Sequence, residues 1–287
     1  MKLPQFDYQA PGSLDEAVAL LAATDGARPI AGGQSFVPVM AFRLAEPSML
    51  VDLRNIPGLD RIEVGPEGVR LGAMVRWRDI LDDARLKTVL PLLPEAIDHV
   101  AHYQIRNRGT VGGSIAHADP AAEMPTVALT CDAVIEAVGA KGKRTIKAAD
   151  FFLGPLTTAL ESDEIITSVL LPAWPAGRRW AFQEFSRRRG DFALAGVAAF
   201  YDVDASGNAK NAHFGAISVA DTPVRLSRAE AALNGRKVDE AAIAAAAAAA
   251  SAEVDPNGDI HASPRYRKAL VGTLLSRALT AAANRKA

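Results

Sequence analysis

Apolar and polar positions along this chain group into stretches that predict most of its elements. Ser13-Leu14-Asp15-Glu16 places a Glu three residues after a Ser, the spacing of a capping box. Val18, Leu20 and Leu21 then recur at helical spacing until Gly26 stops them. "RPIAGG" (28–33) reads as a short strand entering a glycine turn. "SMLVDL" (48–53) and "GVRLGAM" (68–74) run or alternate like strands around the turn-rich "PGLDRIEVGPEG" (57–68). Helical periodicity returns over 77–84 and again over 87–103, where Pro91 and Pro94 interrupt the first turns. Strand-like pieces follow at 133–138, 143–148 and 164–171, and "LPAWPAG" (171–177) marks a domain boundary. Beyond it, "WAFQEFS" (180–186), "GVAAFYDVDA" (196–205) and "AKNAHFGAISV" (209–219) predict three strands with "SGN" at a hairpin. The tail is helical over 225–233, 239–253 and 264–284. Strands followed by helices in each half define an α+β fold.

Composition narrows the function classes. The chain has 287 residues, 49% of them hydrophobic and 23% charged, which suits a globular protein with room for two domains. Lys and Arg (32) balance Asp and Glu (33), which argues against nucleic acid as the main partner. No apolar run is long enough to span a bilayer, and the N-terminus lacks a signal peptide's apolar stretch. With Cys131 its single cysteine, the chain forms no internal disulfide and holds no iron–sulfur cluster by itself; a cytoplasmic location is expected. His99 and His102, three apart, read as neighbours on a partly buried helix face rather than as a zinc site.

Two glycine clusters carry the candidate chemistry. Gly32-Gly33-Gln34-Ser35 is echoed by Gly112-Gly113-Ser114 inside "NRGTVGGSIAHADP" (107–120). Glycine permits positive φ and close approach, successive N–H groups in such a turn form an anion nest, and hydroxyls add donors. Neither cluster is a G-x-G-x-x-G or a G-x-x-x-x-G-K-[ST] loop. On residues alone they are two candidate phosphate nests, each with a plain tight turn as its alternative.

"AGGQSFVPVMAFRLAEPSMLVDLRNIPGL" (31–59) followed by "QIRNRGTVGGSIAHADPAAEMP" (104–125) resembles the FAD-binding medium subunit of molybdenum hydroxylases, of the carbon monoxide dehydrogenase and xanthine dehydrogenase types. "DFFLGPLTTALESDEIITSVLLP" (150–172), "RRRGDFALAGVA" (187–198) and "DIHASPRYRKALVGTLLSRAL" (259–279) extend the resemblance over nearly the whole chain. It implies an FAD-binding domain of the vanillyl-alcohol-oxidase type over 1–175, in subdomains of about 1–56 and 57–175. A smaller C-terminal domain, 176–287, would combine a three-stranded antiparallel sheet with helices.

The resemblance also implies a site. Ala31, Gly32, Gly33, Gln34 and Ser35, with Thr110, Val111, Gly112, Gly113 and Ser114, would hold the FAD diphosphate. The N–H groups of Gly33 and of Gly112 or Gly113 would lie at hydrogen-bonding distance from it. Glu123 would mark the ribose or adenine end, Ile166 would touch the flavin, and Gln183 stands where a Lys often occurs. Gln34 replaces a His found in many members. Both glutamines remove a charge near the cofactor, which bears on flavin potential and acceptor choice.

In function, the resemblance implies an electron-transfer oxidoreductase subunit without a catalytic residue or metal of its own. It would take electrons from a [2Fe–2S] small subunit served by a molybdopterin large subunit, in a heterotrimer that dimerises. Arg187 to Arg189 and 261–270 are candidate partner contacts. A stand-alone flavin oxidase or dehydrogenase on the same fold, and a binding domain that has lost its cofactor, remain as alternatives.

Overall fold

The computed structural model describes residues 2–285. Its first helix, Leu14–Ala23, begins where the capping pattern predicts: Ser13 Oγ accepts from the Glu16 N–H at 3.2 Å. Glu16 reaches back one residue further than a standard box and accepts from the Gly12 N–H at 3.0 Å. The helix buries Ala17, Val18 and Leu21 against a small parallel sheet in which Met49–Asp52 lies between Asp7–Gln9 and Ala27–Ile30.

A five-stranded antiparallel sheet follows, in the spatial order Ile62–Gly65, Gly68–Gly72, Ile165–Pro172, Val134–Gly139, Gly142–Lys147. Ile62–Gly65 lies within the turn-rich joint of the sequence, where Gly58, Gly65 and Gly68 mask so short a strand. The expected helix over 87–103 is broken into Leu86–Val89, Leu92–Ile97 and Tyr103–Arg106. Pro91 and Pro94 cannot donate to a continuous ladder, and Ala101 adopts φ +40°. This break separates His99 from His102, so they do not share a helix face. Leu92, Leu93, Ala96 and Ile97 nevertheless fill the main core with Val111, Ile115, Val127 and Phe151.

The C-terminal sheet has four antiparallel strands rather than three: Arg179–Phe185, Ala195–Val203, Ala209–Ile217 and a two-residue edge, Val224–Arg225, too short to register as a strand pattern. One face is covered by the helices Ser227–Leu233, Glu240–Glu253 and Pro264–Asn284. Within the alanine run, Ala242, Ala246 and Ala250 are fully buried, and small side chains let the last two helices approach closely. A methyl at Gly272 would come within 2.2 Å of Ser251 Oγ.

The other face packs on the helix Glu123–Thr130, where a methyl at Gly215 would meet Thr130 Oγ1 at 2.0 Å. Cys131 closes that helix, is only 4% exposed, and lies in the shared core. At the end of the last helix, Arg285 lies 3.5 Å over the Trp180 ring and pairs with Glu95 at 2.6 Å, joining the two halves. Among the described residues no helix is long and apolar enough to cross a membrane.

Candidate functional site

The first glycine loop joins Ala27–Ile30 to the short helix Phe36–Ala41. Gly33 has φ +70°, in the left-handed region that favours glycine. Gly32 is required for a different reason: a methyl there would lie 2.2 Å from the Arg108 carbonyl oxygen. The loop is thus pressed against the segment leading into the second cluster. Gln34 Nε2 donates to the Gly32 carbonyl at 3.1 Å, holding the turn. Among the described residues, the N–H groups of Gly32, Gly33, Gln34 and Ser35 make no turn, loop or cap bond within the protein. A row of open donors from a left-handed turn is an anion nest.

The second cluster is built the other way. It is the start of a helix, Val111–His117, with Thr110 as its N-cap. The Val111 N–H donates to Val75 O at 2.9 Å, Gly112 to Ala73 O at 2.8 Å, Gly113 to Thr110 Oγ1 at 3.2 Å and Ser114 to Thr110 O at 3.0 Å. Each of these donors has a partner within the protein, so this loop is a capped helix start, whereas the first presents open N–H groups. Gly112 lets the helix seat against the strand end: a methyl would come within 2.5 Å of Ala73 Cβ. Gly113 faces the first loop, where a methyl would stand 2.7 Å from Thr110 Oγ1 and 3.7 Å from Ala31 Cβ. What this loop offers a ligand is the bare edge of Gly113 and the half-buried Ser114 hydroxyl.

The remaining expected residues are dispersed. Ile166 is 4% exposed, inside the main core of the N-terminal half. Gln183 pairs with Val197 on the sheet face that carries the C-terminal helices. Strand alternation gives the opposite face to Phe182 and Glu184, so Glu184, not Gln183, projects toward the N-terminal half.

Glu123 opens its helix, and burial pushes its carboxyl up to about 7, with the charge of Asp119 adding to the effect. Glu184 was not expected. Burial, with the charge of Glu123, pushes it up to about 8, and His99 Nδ1 lies 3.9 Å from its Oε1. An acidic residue at an inward position of "WAFQEF" was the available signal. Asn107 was also missed; its Oδ1 is buried without a partner two residues before Gly109, against which Gly32 packs. Arg189 pairs with Asp98, and Arg187 lies 3.8 Å from Asp191.

The two glycine loops thus lie side by side in an α+β fold, Gly32 against Arg108 and Gly113 beside Ala31. Comparison with known proteins gives the family. Residues 4–174 match the FAD binding domain in molybdopterin dehydrogenase, and residues 180–282 match the CO dehydrogenase flavoprotein C-terminal domain. The nicotine 6-hydroxylase medium subunit of Paenarthrobacter nicotinovorans is 42% identical over 99% of this chain and 100% of its own length. Among solved structures, carbon monoxide dehydrogenase from Hydrogenophaga pseudoflava superposes with a TM-score of 0.96 at 39% identity, covering 100% of both chains. Quinoline 2-oxidoreductase from Pseudomonas putida 86 gives 0.94 at 40% identity, over 99% of this chain and 98% of that one. The chain belongs to the FAD-binding medium subunits of molybdenum hydroxylases; it is an oxidoreductase subunit, and FAD is its cofactor.

Proposed function

We propose that this chain is the electron-transfer link of a molybdenum hydroxylase. It takes electrons from the [2Fe–2S] clusters of a small subunit, which receives them from a molybdopterin large subunit, and passes them to a terminal acceptor. FAD, when bound, exchanges either one or two electrons, which suits a junction between one-electron clusters and a two-electron acceptor. The observation that carries this reading is the clasp: an open row of N–H groups from Gly32 to Ser35, held against Arg108 and facing the Gly113 edge.

In this reading the N–H groups of the Ala31–Ser35 loop hold the diphosphate. Ser114 adds its hydroxyl, Thr110 and Val111 fix the second loop, and Gly112 and Gly113 clear space for the cofactor. Glu123 takes the ribose or adenine end. Ile166 supports the flavin pocket from within the core, and Gln183 supports it from the far side of the sheet. The domains divide near residue 175, and the assembly is a dimer of heterotrimers in the cytoplasm. One buried cysteine with no disulfide suits that reducing compartment.

The test is to purify the chain alone and with its partner subunits. Alone, it should be yellow and reducible by dithionite, yet inert toward carbon monoxide, aldehydes and N-heterocycles. Reassembled, its flavin should be reduced by the substrate of the complex. Rapid reduction of the isolated chain by such a substrate would overturn the subunit reading in favour of a stand-alone flavin dehydrogenase.

A further inference from the structure

A cleft of about 730 Å³ lies along the seam between the two halves, within the usual size range of small-molecule sites. It is lined by the hairpin end of Ile62–Gly65 and Gly68–Gly72, the helix Leu86–Val89, the linker 172–179, and Trp180 and Arg285 of the C-terminal domain. Gly68 and Val69 meet the cleft at one end of their strand, whereas Ala73, which seats Gly112, follows the other end. At the rise of an extended chain, that strand sets the cleft about 13 Å from the second glycine loop. It is a separate site.

Its lining is cationic and aromatic. Among the described residues that line it, Lys87, Arg178, Arg179 and Arg285 are basic and none bears a carboxyl. Arg178 gives Nε and Nη2 to Asp202 at 2.9 and 3.0 Å, and Arg285 gives Nη2 to Glu95 at 2.6 Å. Those two carboxylates, outside the lining, balance two of the four charges. Among the described residues Lys87 and Arg179 have no ion-pair partner, and Arg285 keeps Nε and Nη1 free of hydrogen bonds. The N–H groups of Ala176 and Gly177, on the linker, make no turn or loop bond there either. Beside these donors stand two half-buried indoles: the Arg285 guanidinium lies 3.5 Å over the Trp180 ring, and that of Arg178 lies 5.3 Å over Trp174.

We propose that this cleft binds a planar aromatic acid, its ring against Trp174 and Trp180 and its carboxylate on Arg179 and Lys87. Each part of the ligand answers one part of the lining. A neutral ring would leave two uncompensated cations beside it, and a cation would be repelled. A small anion would meet the charge but leave the indoles in water. An aromatic acid satisfies both, because a ring extends a cation–aromatic stack while a carboxylate takes charge-assisted hydrogen bonds from guanidinium and ammonium groups. The ligand would touch both halves and the linker that joins them, so its binding should stabilise the seam. The proposal stands apart from the FAD reading, since none of its residues belongs to the glycine loops.

The experiment is calorimetric titration of the full chain, loaded with FAD, with three probes: naphthoate, the neutral naphthylmethanol, and glutarate, an anion without a ring. Naphthoate should bind one per chain with Kd below about 1 mM, and each of the other two at least about tenfold more weakly. It should also raise the melting temperature and leave the flavin absorbance in place. Arg179→Gln and Lys87→Gln should each weaken naphthoate by about fivefold to tenfold, the loss of one charge-assisted bond. No saturable binding, or equal binding of the alcohol or of glutarate, would overturn the proposal. So would naphthoate affinity unchanged in both variants, or release of FAD by the probe, which would place it at the cofactor site instead. If Arg179→Gln does not fold, the exposed Lys87 decides: an unchanged affinity in Lys87→Gln overturns the assignment.

Discussion

The first glycine loop leaves its backbone open, whereas the second closes its own. Among the described residues the N–H groups from Gly32 to Ser35 make no turn or cap bond, while from Val111 to Ser114 every one is bonded to Val75, Ala73 or Thr110. Gly33 is needed for its left-handed φ, Gly32 for contact with a carbonyl, Gly112 for contact with a strand end, and Gly113 for the gap between loops. Identical dipeptides thus meet four distinct requirements. An open backbone binds; a closed one supports the element that forms the opposite wall.

That division can be broken at chosen positions. The largest effect should come from Gly112→Ala, whose methyl would overlap Ala73 in the core. Unfolding of the apo chain by denaturant should show a loss of about 3 kcal/mol. Tolerance of this change would mean that the second loop is not a packing device.

Gly113→Val should do the reverse. It fills the space between Thr110 and Ala31, so FAD should be absent from the purified protein while stability changes by about 1 kcal/mol or less. Gly113 lies in a helix, so lost space rather than forbidden φ is the cause. Full flavin occupancy in this variant would refute the clasp.

Gly32→Ala must push the first loop off Arg108. Equilibrium binding should show FAD affinity reduced by about 2 kcal/mol, or about thirtyfold. The smallest effect belongs to Thr110→Val, which removes the cap on the Gly113 N–H. It should lower thermal stability by about 1 kcal/mol with a lesser change in FAD affinity, as befits a residue that holds its loop rather than the ligand.

The legible parts of the molecule were those governed by short-range rules. The Ser13 cap, the alternating strands beyond 134 and the three C-terminal helices follow from local propensity and period. The helices Val111–His117 and Glu123–Thr130 were missed because adjacent glycines, Pro120 and Pro125 are poor helix signals, and tertiary packing on Ala73 and on the C-terminal sheet overrides them. The glycine pairs could be found by eye, but their different uses depend on Arg108 and Ala73, whose proximity only the fold creates. Glu184 shows the same limit in another form. Its inward position follows from strand alternation, yet the burial that raises its carboxyl comes from the N-terminal half packed on that face of the sheet.

Cys131 sits where the helix behind Glu123 meets the C-terminal sheet, and burial pushes its thiol up to about 12. A thiol so deep reacts with an alkylating reagent only in the moments when that wall parts. Because it is the single cysteine in the chain, each modified molecule records one such opening. Iodoacetamide thus turns the interior into a stopwatch: the labelling rate of the apo chain times how often the helix and the sheet part, and the rate of the chain loaded with FAD tells whether the cofactor slows that opening.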